Sequence, residues 1–163
     1  MCFHRAMIVG LLVPLAASPV AGAENKIPDD LKTMLEKADK FELLSLNPEH
    51  LKEKPADGFH GWAVLGRTTV KDADVRKTLL EAFEKGVKEN EGIVARCFNP
   101  RHGIRVTHDG KTADFVICFE CYQVKAFVGD RDAKDFLVTG SPQPAFDKVL
   151  TDAKVPLPKK QRE

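Results

Sequence analysis

The chain has 163 residues, 25 basic against 24 acidic, a formal net charge of +1 and an apolar share of 43%. Near-neutral charge argues against a nucleic-acid footprint, which needs a basic stripe interleaved with aromatic residues. The length suffices to bury a core without relying on disulfides.

Residues 1–23 read as an export signal. Arg5 supplies the positive start, residues 6–17 the apolar run, and Ala21-Gly22-Ala23 a small-residue cleavage site before Glu24. The run is too short to span a bilayer, and Cys2 lies ahead of it, so no lipid-acceptor cysteine follows. The expectation is an exported protein, periplasmic or extracellular, without stable membrane insertion. One domain is expected over residues 24–158, with a disordered basic tail at 159–163. Removing the signal takes away one arginine and no acid, so the basic count falls to match the 24 acids.

Pro28 suits the first turn of a helix, with Asp29 and Asp30 at its positive end, and Leu31, Met34, Leu35 and Ala38 recur at helical spacing to near Asp39. Residues 41–46 (FELLSL) read as a strand stopped by Asn47-Pro48, and residues 47–58 as a polar connection. Residues 59–70 alternate like a strand, with Gly61 and Gly66 marking a bulge or a close backbone approach. Asp72 is the expected N-cap of the clearest helix, whose stripe is Val75, Leu79, Ala82, Phe83 and Val87, with Gly92 as its C′ residue. Residues 93–98 read as a further strand entering a hairpin.

Asp109-Gly110 between two alternating runs predicts a two-residue type I′ turn, because both positions tolerate φ > 0. Counting back from it sets Val106 opposite Ala113, Arg105 opposite Asp114, Ile104 opposite Phe115, His102 opposite Ile117 and Arg101 opposite Cys118. Ile104, Val106, Phe115, Ile117, Phe119 and Cys121 then form an apolar face. Arg101, Arg105, Asp114, Cys118, Glu120 and Tyr122 form a mixed polar one. The second arm runs through the cysteines toward Val128. Residues 129–135 read as a loop, residues 136–139 as a last strand, and Ser141-Pro142 as the opening of a final helix with Phe146, Val149, Leu150 and Ala153 inward. Strands in succession rather than alternating with helices give an α+β class: a mainly antiparallel sheet of five to six strands, one long helix on one face, and shorter terminal helices.

Three cysteines follow the export signal: Cys97, Cys118 and Cys121. Cys118-Phe119-Glu120-Cys121 has the CxxC spacing of zinc knuckles and redox sites. No Gly or Pro makes a turn there, however, and on a regular strand residues three apart face opposite ways. A bulge at Asn99-Pro100 would slide Cys97 opposite Cys121 and permit a cross-strand disulfide; a tight turn at 99–102 would instead leave the partner of Cys97 open. Four readings stand. They are a structural disulfide with a leftover thiol, buried unpaired cysteines, a zinc or copper site on Cys97, His102, Cys118 and Cys121, and a reactive thiol at Cys118 beside Arg101.

His102 on the apolar face reads as a satisfied core residue, His60 as a strand residue near a bulge, and Arg105–Asp114 as a cross-strand ion pair worth under about 1 kcal/mol. No GxSxG, HExxH, phosphate-loop or EF-hand signature is present.

The segments Phe59-His60-Gly61-Trp62 with Val64-Leu65-Gly66, Cys97 to Ile104 (CFNPRHGI), Cys118 to Cys121 (CFEC) and Ser141-Pro142 resemble those of a group of short exported bacterial proteins described as hypothetical. The resemblance spans about Phe41 to Pro158 and implies export and a single domain, with no activity attached. The functional expectation is an exported, non-catalytic binding domain without a cofactor, taking a protein or small ligand in the periplasm or at the cell surface. The first alternative is a thiol-redox or zinc- or copper-binding protein using the cysteine hairpin. The second is a cysteine-dependent hydrolase pairing Cys97 or Cys118 with His60 or His102.

Overall fold

The computed structural model describes residues 25–49, 55–129, 131–132 and 134–159. The expected export signal, most of the expected basic tail and part of the 47–58 connection lie outside those residues. Three helices, α1 (Asp29–Glu36), α2 (Ala73–Lys88) and α3 (Gln143–Asp152), accompany strands β1 (Lys40–Leu46), β2 (Val64–Thr69), β3 (His102–His108), β4 (Lys111–Cys118), β5 (Gln123–Val128), β6 (Arg131–Asp132) and β7 (Phe136–Leu137). The strands form one antiparallel sheet in the order β2-β1-β3-β4-β5-β6, with β7 also pairing β5. The α+β class follows.

The β3–β4 hairpin has the register counted from the sequence, from His102 opposite Ile117 to His108 opposite Lys111. Asp109 and Gly110 take φ of 48° and 72°, as a type I′ turn demands. The side chains of alternate residues divide the sheet into two faces. On one, Phe41, Leu43, Ile104, Val106, Phe115, Ile117 and Val124 meet Leu31 and Leu35 of α1, Leu79, Phe83 and Val87 of α2, and Phe146 and Leu150 of α3 in the main core. Phe83 is its hub, with ring contacts to Phe115, Phe136 and Phe146. Asp72 caps α2 as expected, accepting from the backbone N–H groups of Asp74 and Val75.

The other face carries a smaller cluster of Leu44, Leu46, Phe59 and Val116, fringed by Trp62, Val64, Phe98 and Phe127. Among the described residues two irregular segments cover it, and both depart from expectation. Residues 59–62 are not strand. They form a tight turn closed by reciprocal Phe59 and Trp62 backbone bonds, with φ of 50° at His60 and 90° at Gly61. Gly103 on β3 makes room beneath, since a Cβ there would lie 2.8 Å from the Phe59 ring.

Residues 93–98 are not strand either, but a strap over the end of β4 and β5. The Asn90 side chain accepts from the N–H groups of Gly92 and Ile93 and donates to the Ile93 and Val138 carbonyls. The chain leaving α2 is thus fixed by a side chain, with Gly92 further on at φ 90° rather than at the helix's C′ position. Further along, Ala95 N–H donates to the Cys121 carbonyl and the Gln123 amide donates to the Ala95 carbonyl. The apolar residues that suggested a strand stand outside, Ile93 being 64% and Val94 51% exposed.

The run expected to continue to Val128 as one strand is broken at residues 119–122. There the chain reverses, and β5 folds back beside β4 with Cys118 opposite Gln123. Residues 131–132, expected within a loop, add the short β6.

Candidate functional site

The reversal between β4 and β5 creates the site. Cys118 is the last residue of β4 and Cys121 lies within the reversal, so the two stop behaving as residues on a regular strand. Their Cα atoms come within 5.2 Å and their sulfurs are joined in a disulfide. Tyr122 absorbs the change of direction at φ 61°, a conformation uncommon for a residue with a side chain. Long-range contacts hold it there. Val138 N–H donates to the Tyr122 carbonyl, Phe119 packs on Phe146 at 5.2 Å between ring centroids, and Glu120 lies 3.1 Å from the Arg101 guanidinium. Arg101 also donates to the Lys159 carbonyl, binding that residue to the same corner.

Cys97 arrives from the strap. Its Sγ lies 3.2 Å from Cys121 Sγ, and it is the free, exposed thiol of the three. Cys118 and Cys121 are buried at 1% and 0% exposure. Cys97 therefore lies against the disulfide at its Cys121 end, and the bond joins Cys118 to Cys121 and not Cys97 to Cys121, the pair that a bulge at Asn99-Pro100 would have permitted. The reason is the reversal, which turns both CxxC sulfurs inward together. Two backbone donors face the cluster: Cys121 N–H reaches Cys118 Sγ at 3.1 Å and Asn99 N–H reaches Cys121 Sγ at 3.4 Å. Beside the strap, Val94 and Gln123 line an open groove of about 1180 Å³.

His102 does not join the sulfurs. It pairs with Ile117, so its side chain leaves the sheet on the face opposite Cys118. It is 1% exposed, its Nε2 lies 2.8 Å from Asp147 Oδ1, and its ring packs on Phe119 and Phe146. The four-residue set of Cys97, His102, Cys118 and Cys121 is thus not assembled; His102 is a core histidine bonded to Asp147 through Nε2, with its Nδ1 buried and without a hydrogen-bond partner among the described residues. Asp147 on α3 keeps its charge. Burial works against it, but the His102 hydrogen bond and charge, the Gln143 amide and the Arg101 charge together hold its carboxyl below the usual range.

The polar face contains a second constellation that the sequence understated. Arg105 grips Asp114 through two bonds of 2.8 and 2.7 Å, and His60 Nε2 adds a third at 2.8 Å. The His60 ring stacks on Phe127 with centroids 3.8 Å apart. The Asp114 hydrogen bond, opposed by burial and aided by the charges of Asp114 and Glu42, holds the Arg105 guanidinium above its ordinary range. Asp114 is 5% exposed, so this is a buried carboxylate with three donors rather than a surface pair. It pins the 59–62 turn to the sheet. His60 and His102 are each engaged with a carboxylate, and among the described residues the sulfurs are contacted by one another and by backbone N–H groups. Among the described residues, the pairing of Cys97 or Cys118 with His60 or His102 is not assembled.

Among the described residues no helix is long and apolar enough to cross a membrane. No protein-family profile matches the chain, and no curated protein matches it. Among solved structures, the chain is similar to a crystal structure described as "Putative Lipoprotein from Clostridium perfringens", at a TM-score of 0.43 and 14% identity over 76% of this chain and 92% of that one. A likeness at that level transfers neither fold nor activity.

Proposed function

We propose that the protein is an exported thiol–disulfide exchange protein, in which Cys97 connects a buried Cys118–Cys121 disulfide to thiols outside. The observation that carries this reading is the 3.2 Å approach of the Cys97 sulfur to Cys121. It favours the thiol alternative over the non-catalytic binding domain expected from sequence, which rested on the lack of a catalytic set. Oxidising conditions outside the cytosol suit such chemistry, and the export signal read at residues 1–23 supports that setting.

The steps balance. The Cys97 thiol gives up its proton and attacks Cys121 Sγ; the Cys97–Cys121 bond forms, the Cys118–Cys121 bond breaks, and Cys118 leaves as a thiolate that takes up a proton. The disulfide now includes the exposed sulfur. An external dithiol attacks Cys97, forms a mixed disulfide and frees Cys121. Its second thiol then displaces Cys97, so the external dithiol leaves oxidised by two electrons and the protein retains three thiols. The reverse sequence reduces an external disulfide.

The test is the rate at which dithiothreitol opens the disulfide in the native protein and in Cys97→Ser. Because the bonded sulfurs are buried, Cys97→Ser is expected to slow opening by about tenfold or more, since exchange depends on access and on which sulfur is attacked. An unchanged rate, with unchanged circular dichroism, would remove Cys97 from the path and the proposal with it.

A further inference from the structure

The same three sulfurs have a second chemistry when reduced, and it rests on the convergence just described. We infer that the fully reduced protein binds one copper(I) ion on the thiolates of Cys97, Cys118 and Cys121, and that closing the Cys118–Cys121 disulfide expels it.

The local backbone is that of a chelating turn. Cys118 and Cys121 lie three residues apart with Cα atoms 5.2 Å apart, and the Cys121 N–H points at Cys118 Sγ. Opening the bond lets the two sulfurs separate. Metal–sulfur bonds of about 2.3 Å place the sulfurs of a trigonal site roughly 4 Å apart, close to the 3.2 Å that already separates Cys97 from Cys121. The N–H groups of Cys121 and Asn99 become donors to thiolates, interactions stronger than those to neutral sulfur and of the kind that orient metal ligands.

The character of the set selects the ion. Thiolates favour copper(I) and zinc over harder ions. A structural zinc site wants four protein ligands, whereas His102 faces the other side of the sheet and binds Asp147, and Glu120 is paired with Arg101. Three sulfurs without a fourth protein ligand among the described residues suit a three-coordinate soft ion. Exposed Cys97 gives the ion its way in, and burial of the other two sulfurs keeps water from them.

Loading needs a reductant, and an external dithiol serves: it reduces Cys118–Cys121 by two electrons and becomes a disulfide itself. Three thiol protons then leave as the ion binds. In reverse, a partner disulfide takes two electrons from Cys118 and Cys121, their bond reforms, and Cys97 remains as a single ligand too weak to hold the ion.

The test uses reduced full-length protein without oxygen, titrated with copper(I) supplied as its acetonitrile complex against the chelator bathocuproine disulfonate. The expected result is one copper(I) per protein, an affinity at least about tenfold lower in Cys97→Ser on the loss of one soft ligand, no change in His102→Asn, and no competition by the oxidised protein. Failure of the reduced protein to compete, or equal affinity in Cys97→Ser or in the oxidised form, would overturn the three-sulfur site. Dithiothreitol kinetics contain no metal, so failure here leaves the exchange reading standing, and failure there is seen separately.

Discussion

At the scale of single residues, buried polar side chains decide how the two faces of the sheet are held. The His102 ring, enclosed by Phe119 and Phe146, directs Nε2 to Asp147 and so links the start of β3 to α3. The Asp147 carboxyl is held below its usual range chiefly against burial, by His102, Gln143 and Arg101. A carboxylate whose folded pKa lies below its unfolded value stabilises the fold above the unfolded value, and that contribution is lost as pH falls through the folded one. Asp147→Asn should therefore unfold at lower temperature than the native protein at pH 7, with the gap narrowing as pH falls below about 4, the ordinary carboxylate value. Thermal unfolding across that range checks it; a gap independent of pH would contradict it. Such pairing was beyond the sequence, because His102 and Asp147 lie 45 residues apart on elements whose packing no local pattern encodes. The same holds for His60 and Asp114, whereas Arg105 and Asp114 were legible as cross-strand neighbours because a two-residue turn fixes their register.

At the scale of elements, the hairpin and the helices follow from periodicity, and the coverings of the second sheet face do not. Asp109-Gly110 and strict alternation leave one register for β3 and β4. The stripe of α2 is nearly as plain, although Val75 stands at the rim at 36% exposure. The reversal at residues 119–122 is the opposite case. It has neither Gly nor Pro, and what stabilises it comes from elsewhere in the chain: Val138, Arg101 and the main core around Phe119. The strap at 93–98 misleads in the same way, its β-forming residues being left exposed once Asn90 fixes its start. The readable signal was the odd number of cysteines beside a CxxC, which singled out these sulfurs without the bond between them. The 59–62 turn makes its own prediction. Gly103→Ala drives a methyl group into the buried Phe59 ring, an overpacking expected to cost about 1–3 kcal/mol. Urea unfolding measures this, and a neutral effect would show that the turn is not pressed onto the sheet as described.

At the scale of the whole molecule, the sheet separates two jobs. One face, with all three helices against it, supplies the hydrophobic stability. The other, covered by irregular chain and a buried carboxylate network, can place a strap carrying Cys97 against the end of β4 without disturbing that core. The proposed exchange between a thiol on the strap and a disulfide in a reversal between strands then needs only small local movements while both cores persist. The α+β class was legible in the order of the elements, but the approach of Cys97 to the disulfide depends on a fold-back that joins residues 24 apart.

The most direct measurement of that central feature is non-reducing peptide mapping of Cys118→Ser after equilibration in a glutathione redox buffer. Removing the sulfur bonded to Cys121 leaves Cys97 as its neighbour, and a Cys97–Cys121 disulfide is expected in nearly all molecules. Recovery of Cys97 as a freely alkylated thiol, with Cys121 capped by glutathione, would contradict it.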